Sequence, residues 1–518
     1  MGHWGKFVSA VAPVRFVIVQ AGGRGSRLGQ LTENKPKCLV PVGGRPILYG
    51  LGNAFSEATL IVIADYKRDV LKRYMQTIPP PFEYRIVEAE GKGTCSGIET
   101  ARSLIPRDEP FAIVWSDLYP TTQIIPPSTN EILVGTSSTL NCRWKLENGT
   151  LSERTGDGCG VVGIFYIATP SALPEVPTNG EFVRFLKDSN LPVTSWEVQG
   201  VHEIGTIESY IEFGRTKHRT RYFNEINRVE DSIVKLPKDE AATKLQVDET
   251  AWYDYVARKG FRNIPAVRST NPLRIEFIPG HHPYAIVNNT SQERRHLLKT
   301  IFDSLNSLHN IEKSRPDREV ERAAYLDKTL DRISLVSGVF PWRNDEQITI
   351  NGKSVRNFSH ETHKAELESA FADISPAKEF VVIHGDPTFS NIIVDSRDGI
   401  VKFIDPRGYF GNIKLYGDPR YDYAKLFYSV NGNYDSFNNG DFQLKVNKSN
   451  YEYRIGSTGW EDCTEEFRNI PEIDIHELKL IHAFIWLSLT GYVKEDYDGI
   501  IVSFLRGCEL LEEALGGT

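Results

Sequence analysis

The stretch FVIVQAGGRGSRLGQLTENKPKCLVPVGGRPI, Phe16 to Ile47, decides how the first part of the chain folds. Its opening run, Phe16 to Ala21, has the length and β-branched content of a buried strand. Gly22, Gly23 and Gly25 follow at once, and a glycine-rich loop can turn bare N–H groups onto an anion. Arg27 and Lys37 add fixed positive charge where the phosphates of a nucleotide would lie. The loop is not a dinucleotide fingerprint, because Arg27 stands where close helix packing asks for a small residue. It is not a P-loop either, because it lacks the Gly-Lys-Ser/Thr ending.

The rest of the chain sets the frame for that loop. At 518 residues it exceeds what one ordinary core holds, so two or three domains are expected. A formal net charge of −8 argues against a general binder of nucleic acid or anionic membrane, while permitting local basic pockets for phosphates. The six cysteines form no C-x-x-C pair, which disfavours zinc or a dithiol centre and favours buried free thiols. No apolar run approaches the ~20 residues that span a bilayer, and no leader pattern opens the chain. A cytoplasmic protein without membrane insertion is expected, and an oligomer is compatible with the sequence.

From Phe16 to about Tyr210, apolar runs such as LIVIA and FAIVW alternate with helical segments, the pattern of an α/β domain with a parallel sheet. Around Arg215-Thr216-Lys217-His218-Arg219 the pattern lapses into a basic stretch, read as a solvated domain boundary. Beyond it, RYFNEINRVEDSIVKL alternates as antiparallel strands do, and a helical segment carries Glu249, Trp252 and Tyr253. A long, mainly helical region follows, and then EFVVIHGD and IVKFIDPRG, two short strands that end on acidic loops. Residues 431–518 have helical stretches and no motif that reads chemically.

The segment from Phe16 to Ile47 resembles the signature of the sugar-phosphate nucleotidyltransferase family, roughly G-G-x-G-x-R-L…T…P-K-x-L-x-P-V-x-G-x-P-I. The resemblance implies a Rossmann-like domain over residues 1–215 that binds a nucleoside triphosphate, with Arg27 and Lys37 acting on its phosphates. Within FAIVWSDLYP, Asp117 ends an apolar strand, where a carboxylate is well placed to hold Mg²⁺ against a nucleotide. The family's metal aspartate matches it, with Ser116 in place of the usual glycine. In VHEIGTIESY, Glu203 stands where the family commonly has a second metal aspartate. EGKGTCSGIETA is similar to the family's base-selecting loop, which puts Gly93 and Thr94 at the nucleobase. LSERTGDG is similar to its acceptor-contacting stretch, with Arg154 in place of lysine.

VVIHGDPTFSNIIVDSRDGIVKFIDPRG supplies a second set of groups. In kinase-like chemistry one carboxylate orients the acceptor hydroxyl and takes its proton, while an Asn and a second Asp hold Mg²⁺ on the ATP phosphates. Asp386, Asn391 and Asp405 match those tasks in order, and the set resembles the aminoglycoside phosphotransferase and choline kinase superfamily. The resemblance implies a bilobal, protein-kinase-like α+β domain over residues 216–518, with a small lobe at about 216–278 and a large lobe at about 279–518. Lys235 and Glu249 match the kinase pair of phosphate-binding lysine and helical glutamate. The segment IEFIPG is similar to the hinge between lobes, where the backbone of Glu276 and Ile278 would meet adenine. His384 reads as a residue that holds its loop, and Asp418 and Asp422 as bracing or capping residues.

The two resemblances together imply consecutive steps: an ATP-dependent kinase installs a phosphate on a small hydroxyl compound, and the first domain then transfers a nucleoside monophosphate to it. Mg²⁺ is expected in both sites, with ATP and a second triphosphate (CTP, UTP, GTP or dTTP) as substrates. A nucleotide-activated sugar for surface polysaccharide is the leading product. A choline-like alcohol passing to a CDP derivative is the alternative, with Trp252, Tyr253 or Trp486 offering aromatic faces to its cation. A binding or regulatory protein with one inactive domain, and a resistance phosphotransferase with an accessory domain, are the remaining classes.

Overall fold

In the computed structural model, residues 13–140, 142–153, 160–216, 224–286, 289–447 and 450–516 are described. The chain divides into two compact units, Met1–Arg219 with Glu495–Tyr497, and Thr220–Lys494 with Asp498–Thr518.

In the first unit the apolar runs become adjacent strands. Phe16–Gln20 pairs in parallel with Thr59–Ala64 on one side and Phe111–Trp115 on the other, and Thr59–Ala64 pairs in parallel with Tyr84–Glu88. Phe16–Gln20, Thr59–Ala64 and Phe111–Trp115 are covered on both faces, which is why they read as apolar runs, while Tyr84–Glu88 at the edge is half exposed. Gly160–Ile167 joins antiparallel to Phe111–Trp115 and to Ile132–Ser137, and Val193–Glu197 adds in parallel to the latter. With the hairpin Trp144–Glu147 and Thr150–Glu153 the sheet has nine strands among the described residues. Ile18, Ile61, Ile113, Phe165 and Phe182 share its main core. Gln20 lies beside Trp115 in the register, so the loops that follow these two strands leave the sheet side by side. Such a crevice at the carboxyl ends of parallel strands is where α/β sheets bind ligands.

The second unit opens with a four-stranded antiparallel sheet, in the order Asn224–Val229, Ser232–Pro237, Leu273–Glu276 and Val267–Thr270. The helix Glu240–Arg258 follows the second of these strands, its start capped by the Asp239 side chain, which accepts from Ala242 N–H at 2.8 Å. The larger part is mainly helical. Pro419–Val430 is buried along its length, and Lys328–Val336 lies against Ile475–Tyr492, with Arg332 Nη1 donating to the Ser488 carbonyl at 3.0 Å. One element goes beyond the sequence reading. Gln347–Ile350 pairs with Lys353–Arg356 and, across a long connection, in parallel with Asn450–Ile455, which in turn pairs with Phe442–Val446. Among the described residues, no helix is long and apolar enough to cross a membrane.

Candidate active sites

The first unit holds a cleft of about 810 Å³ at the carboxyl ends of its central strands. Gly22, Gly23, Arg27, Lys37, Gly93, Thr94, Asp117 and Glu203 all line it. Gly25 shapes the loop from behind: its carbonyl accepts from Leu28 N–H at 2.9 Å and Thr32 Oγ1 at 3.0 Å. Lys37 Nζ lies 2.6 Å from Asp117 Oδ2. Asp117 is buried, and among the described residues its Oδ1 has no hydrogen-bond partner.

Glu203 reaches the same point by a different route. It ends the short strand Val201–Glu203, which pairs antiparallel with Leu118–Pro120, and Ile204 N–H closes the ladder onto the Asp117 carbonyl at 2.7 Å. Burial raises the Glu203 carboxyl above its ordinary pKa and the Asp117 charge raises it further, against the pull of Arg27 and Lys37. Gly205, absent from the sequence reading, explains how the groups fit together. A Cβ there would come within 2.8 Å of Glu203 Oε1, 3.3 Å of Arg27 Nη2 and 3.6 Å of Asp117 Oδ2. The signal was present in the EIGT stretch, as the glycine two residues after Glu203.

The residues expected at the base have structural ties of their own. A Cβ on Gly93 would meet the Gly180 carbonyl oxygen at 2.3 Å, so no larger residue fits that backbone crossing. Thr94 Oγ1 accepts from Phe182 N–H at 2.8 Å, and its carbonyl accepts from Gln20 Nε2. Arg154 lies outside the described residues.

Asp117 and Glu203 fit a divalent cation by their chemistry: a buried carboxylate with an orphaned oxygen and a half-buried one, with Lys37 paired to the first and the charges of Arg27 and Lys37 acting on the second. Among the described residues no three His, Cys, Asp or Glu side chains form a closed metal cage. Magnesium does not require one, since it keeps several waters and takes its remaining ligands from one or two carboxylates and substrate phosphates.

In the second unit, Asp386 and Asn391 lie in the loop between the strands Phe380–Val382 and Ile392–Asp395, Asp405 follows the strand Val401–Phe403 that pairs with the latter, and Asn391 Nδ2 donates to the Asp386 carbonyl at 2.8 Å and to Asp386 Oδ2 at 3.3 Å. That orientation presents the Asn391 amide oxygen, an oxygen donor of the kind magnesium takes. Asp405 sits at φ 54°, a left-handed conformation that a non-glycine residue holds only when its surroundings impose it. Its N–H donates to Tyr253 Oη at 3.2 Å. The buried Lys235 pairs with both Glu249 and Asp405, which ties the small sheet, its helix and the second acidic loop together. Glu276 donates its N–H to the Ala266 carbonyl at 2.8 Å and binds Arg397 through its side chain at 2.9 Å, so an adenine would have to use other backbone atoms of the hinge; Ile278 is buried beside it.

His384 braces its loop, as its position suggested. Its Nδ1 accepts from Asp386 N–H at 3.2 Å while Nε2 faces the Ile404 carbonyl at 3.1 Å. Burial lowers its pKa, outweighing the nearby Asp422 and Asp386 charges, so the ring is neutral. Asp422 accepts the N–H groups of His384 and Gly385 at 2.8 Å each, and Asp418 caps Pro419–Val430. Two cations that the sequence reading missed, Lys425 and Arg407, approach Asp386 at 3.0 Å and 3.5 Å. Burial raises the Asp386 pKa, but these two charges override it and hold the carboxyl well below its usual range.

Trp252, Tyr253 and Trp486 do not form a cage for a cation. All three are fully buried: the Trp252 indole donates to the Ile383 carbonyl at 2.8 Å, that of Trp486 to His482 at 3.1 Å, and Tyr253 holds Asp405. Their packing against core neighbours leaves no face for a ligand.

Residues 17–126 match the family model described as MobA-like NTP transferase domain, and residues 211–445 match the phosphotransferase enzyme family. The chain joins a nucleotidyltransferase domain to a phosphotransferase domain. The nucleotidyltransferase domain is 35% identical over 118 residues to a mannose-1-phosphate guanyltransferase of Emericella nidulans, covering 21% of this chain and 32% of that protein. It is 29% identical over 104 residues to the bifunctional protein GlmU of Methanocaldococcus jannaschii, covering 20% of this chain and 24% of that one. The chain thus spans a quarter to a third of the length of these relatives. A CTP:phosphocholine cytidylyltransferase from Streptococcus pneumoniae superposes with a TM-score of 0.33 at 19% identity, over 40% of this chain and 99% of its own.

Proposed function

We propose that the protein is a bifunctional enzyme that phosphorylates a small hydroxyl compound with ATP and then transfers a nucleoside monophosphate from a second triphosphate onto that phosphate, releasing pyrophosphate. The observation that carries this reading is that each unit holds its own complete set of groups: Arg27, Lys37, Asp117 and Glu203 around one cleft, and Lys235, Asp386, Asn391 and Asp405 in the other unit.

In the phosphotransferase domain Asp386 orients the acceptor hydroxyl and receives its proton as the new phosphate ester forms. Lys425 and Arg407 fix the direction of that carboxylate, and Lys235, positioned by Glu249, meets the ATP phosphates. In the nucleotidyltransferase domain the nucleophile is a phosphate monoester whose second pKa is about 6, so it is already largely dianionic near neutral pH and needs no general base. Arg27 and Lys37 draw the α-phosphate and the departing pyrophosphate into the cleft and offset the charge that builds on them. Magnesium, held by Asp117 with Glu203 and by Asn391 with Asp405, would supply charge neutralisation on the triphosphates. We take the product to be a nucleotide-activated sugar made in the cytoplasm for surface polysaccharide; its sugar part is supported by relatives named for mannose 1-phosphate and glucose 1-phosphate.

The test is a crossed pair of substitutions in the full chain. Asp386→Asn should abolish ATP-dependent phosphorylation and leave nucleotidyl transfer to a pre-phosphorylated acceptor unchanged, and Asp117→Asn should do the reverse. Loss of both reactions from either substitution in folded protein would overturn the two-site reading.

A further inference from the structure

Asp386 stands at the foot of two chains of cations. Lys425, 3.0 Å from the carboxylate, lies 5.7 Å from the centre of the Tyr421 ring, and Lys328 lies 5.3 Å from that same ring and donates to its hydroxyl at 3.3 Å. Arg407 lies 5.7 Å from the centre of the Tyr492 ring, which it shares with Arg332 at 5.8 Å. Four cations therefore gather around one carboxylate. Among the described residues neither Lys328 nor Arg332 pairs with a carboxylate: their polar contacts are the Tyr421 hydroxyl and the Ser488 carbonyl. Burial lowers the pKa of both, and the neighbouring cations lower it further, so the charges face one another in a partly dry space. An unbalanced group of like charges raises the free energy of the fold and is offset when a ligand brings the opposite charge.

We propose that the compound phosphorylated here is an acid: a hydroxyl compound carrying a carboxylate or a phosphate, received by Lys328, Arg332 and Arg407 while Asp386 takes its hydroxyl. This rests on the phosphotransferase reading of the second unit. The bond between the γ-phosphorus and the bridging oxygen of ATP breaks, the acceptor oxygen bonds to that phosphorus, the hydroxyl proton passes to Asp386, and ADP leaves. A cationic alcohol such as choline is excluded by the same geometry. The rings of Tyr421, Tyr428 and Tyr492, which would have to cradle a quaternary ammonium, already carry the chain's own Lys and Arg side chains. The sugar-nucleotide product named above then carries a further acid group, a carboxylate or a second phosphate.

The experiment titrates the full chain, loaded with Mg²⁺ and a non-hydrolysable ATP analogue, with malonate, inorganic phosphate, glucose and tetramethylammonium. Malonate or phosphate should bind and glucose and tetramethylammonium should not; the stronger of the two anions assigns the acid group. Lys328→Gln and Arg332→Gln should each weaken that binding about 10- to 100-fold, as the loss of a charged hydrogen bond does, and Arg332→Lys should restore part of it. Analogue binding that survives Lys235→Ala unchanged would remove the phosphotransferase reading itself. Analogue binding that needs Lys235, with anions binding no better than tetramethylammonium or indifferent to both glutamine variants, would overturn the acid-acceptor proposal alone. A turnover panel pairing glucose with glucuronate, glycerol with glycerate, and choline gives the second readout. ADP release should favour the acid of each pair, and preference for choline would contradict the assignment.

Discussion

Asp422→Ala is the perturbation whose magnitude follows most directly from the structure. The Asp422 side chain is fully buried and accepts three donors: His384 N–H and Gly385 N–H at 2.8 Å each, and His309 Nε2 at 3.1 Å. Alanine leaves two backbone N–H groups and one imidazole N–H with no acceptor in a dry interior. A hydrogen bond to a charged group contributes about 1.5–3 kcal/mol. The two backbone bonds alone set a loss of about 3–6 kcal/mol, since relaxation of the loop can recover little at a site packed on every side. The loss should appear in urea unfolding as an earlier transition of the second unit, followed by tryptophan fluorescence, with the transition of the first unit unmoved. Kinase turnover should fall at a denaturant concentration where the variant is still folded, because the loop that carries Asp386 loses its anchor, while nucleotidyl transfer stays as an internal control. A destabilisation below ~1 kcal/mol, or equal loss of both activities, would refute the view that Asp422 holds the His384–Asp386 turn.

Three further outcomes are expected. Gly205→Ala places a methyl 2.8 Å from Glu203 Oε1; nucleotidyl transfer should drop at least ~10-fold, equivalent to about 1.4 kcal/mol of transition-state stabilisation, with the unfolding curve unchanged, and normal transfer would show that the close approach is unimportant. Gly93→Ala drives a methyl to 2.3 Å from the Gly180 carbonyl; the first unit should lose about 1–3 kcal/mol, as overpacking does, read by thermal unfolding. Burial lifts the Asp435 carboxyl to about 6 against the hydrogen bonds from Ser429 and Ser390. The folded state therefore holds this proton more tightly than the unfolded chain. The stabilisation is fully present below the unfolded pKa near 4 and is lost as pH rises through 6. Asp435→Asn should flatten that decline by about 3 kcal/mol between pH 4 and pH 7, and parallel curves for the two proteins would contradict it.

The fold was legible where chemistry and periodicity coincide. The run Phe16–Gln20 and its neighbours declared a buried parallel sheet through unbroken β-branched stretches, and the glycine loop with Arg27 and Lys37 marked the end of the strand that opens the cleft. HGD, Asn391 and Asp405 stood out by their order and spacing, and the structure brings Asn391 onto Asp386 and Lys235 onto Asp405. What escaped depends on distance in the sequence. Lys328 and Arg332 lie in a helical stretch that carries no local signal, and only the approach of Tyr421 and Tyr492 in the fold brings them into the group of cations around Asp386. Trp252 and Tyr253 misled in the opposite direction, because an aromatic residue on a helix looks the same whether it faces a ligand or, as here, the core. The sheet that joins Gln347–Ile350 to Asn450–Ile455 had no local signal, since its partners meet across a hundred residues of chain.

The neutral, buried His384 bears on how the second active site should behave as a titrating system. Its ring fills the place beside Asp386 where many enzymes keep a group that changes charge near neutrality, yet both its nitrogens are committed to the backbone. The charges of Lys425 and Arg407 hold Asp386 well below the usual carboxylate range against the effect of its burial. With neither group changing state, the pH–rate profile of phosphorylation loses the acidic shoulder that a catalytic imidazole would give. Beside the Asp435 titration near 6 and that of Lys328, the profile then carries the ionisation of the acceptor and the nucleotide, and the Asp435→Asn and Lys328→Gln variants separate the protein's share from the substrate's.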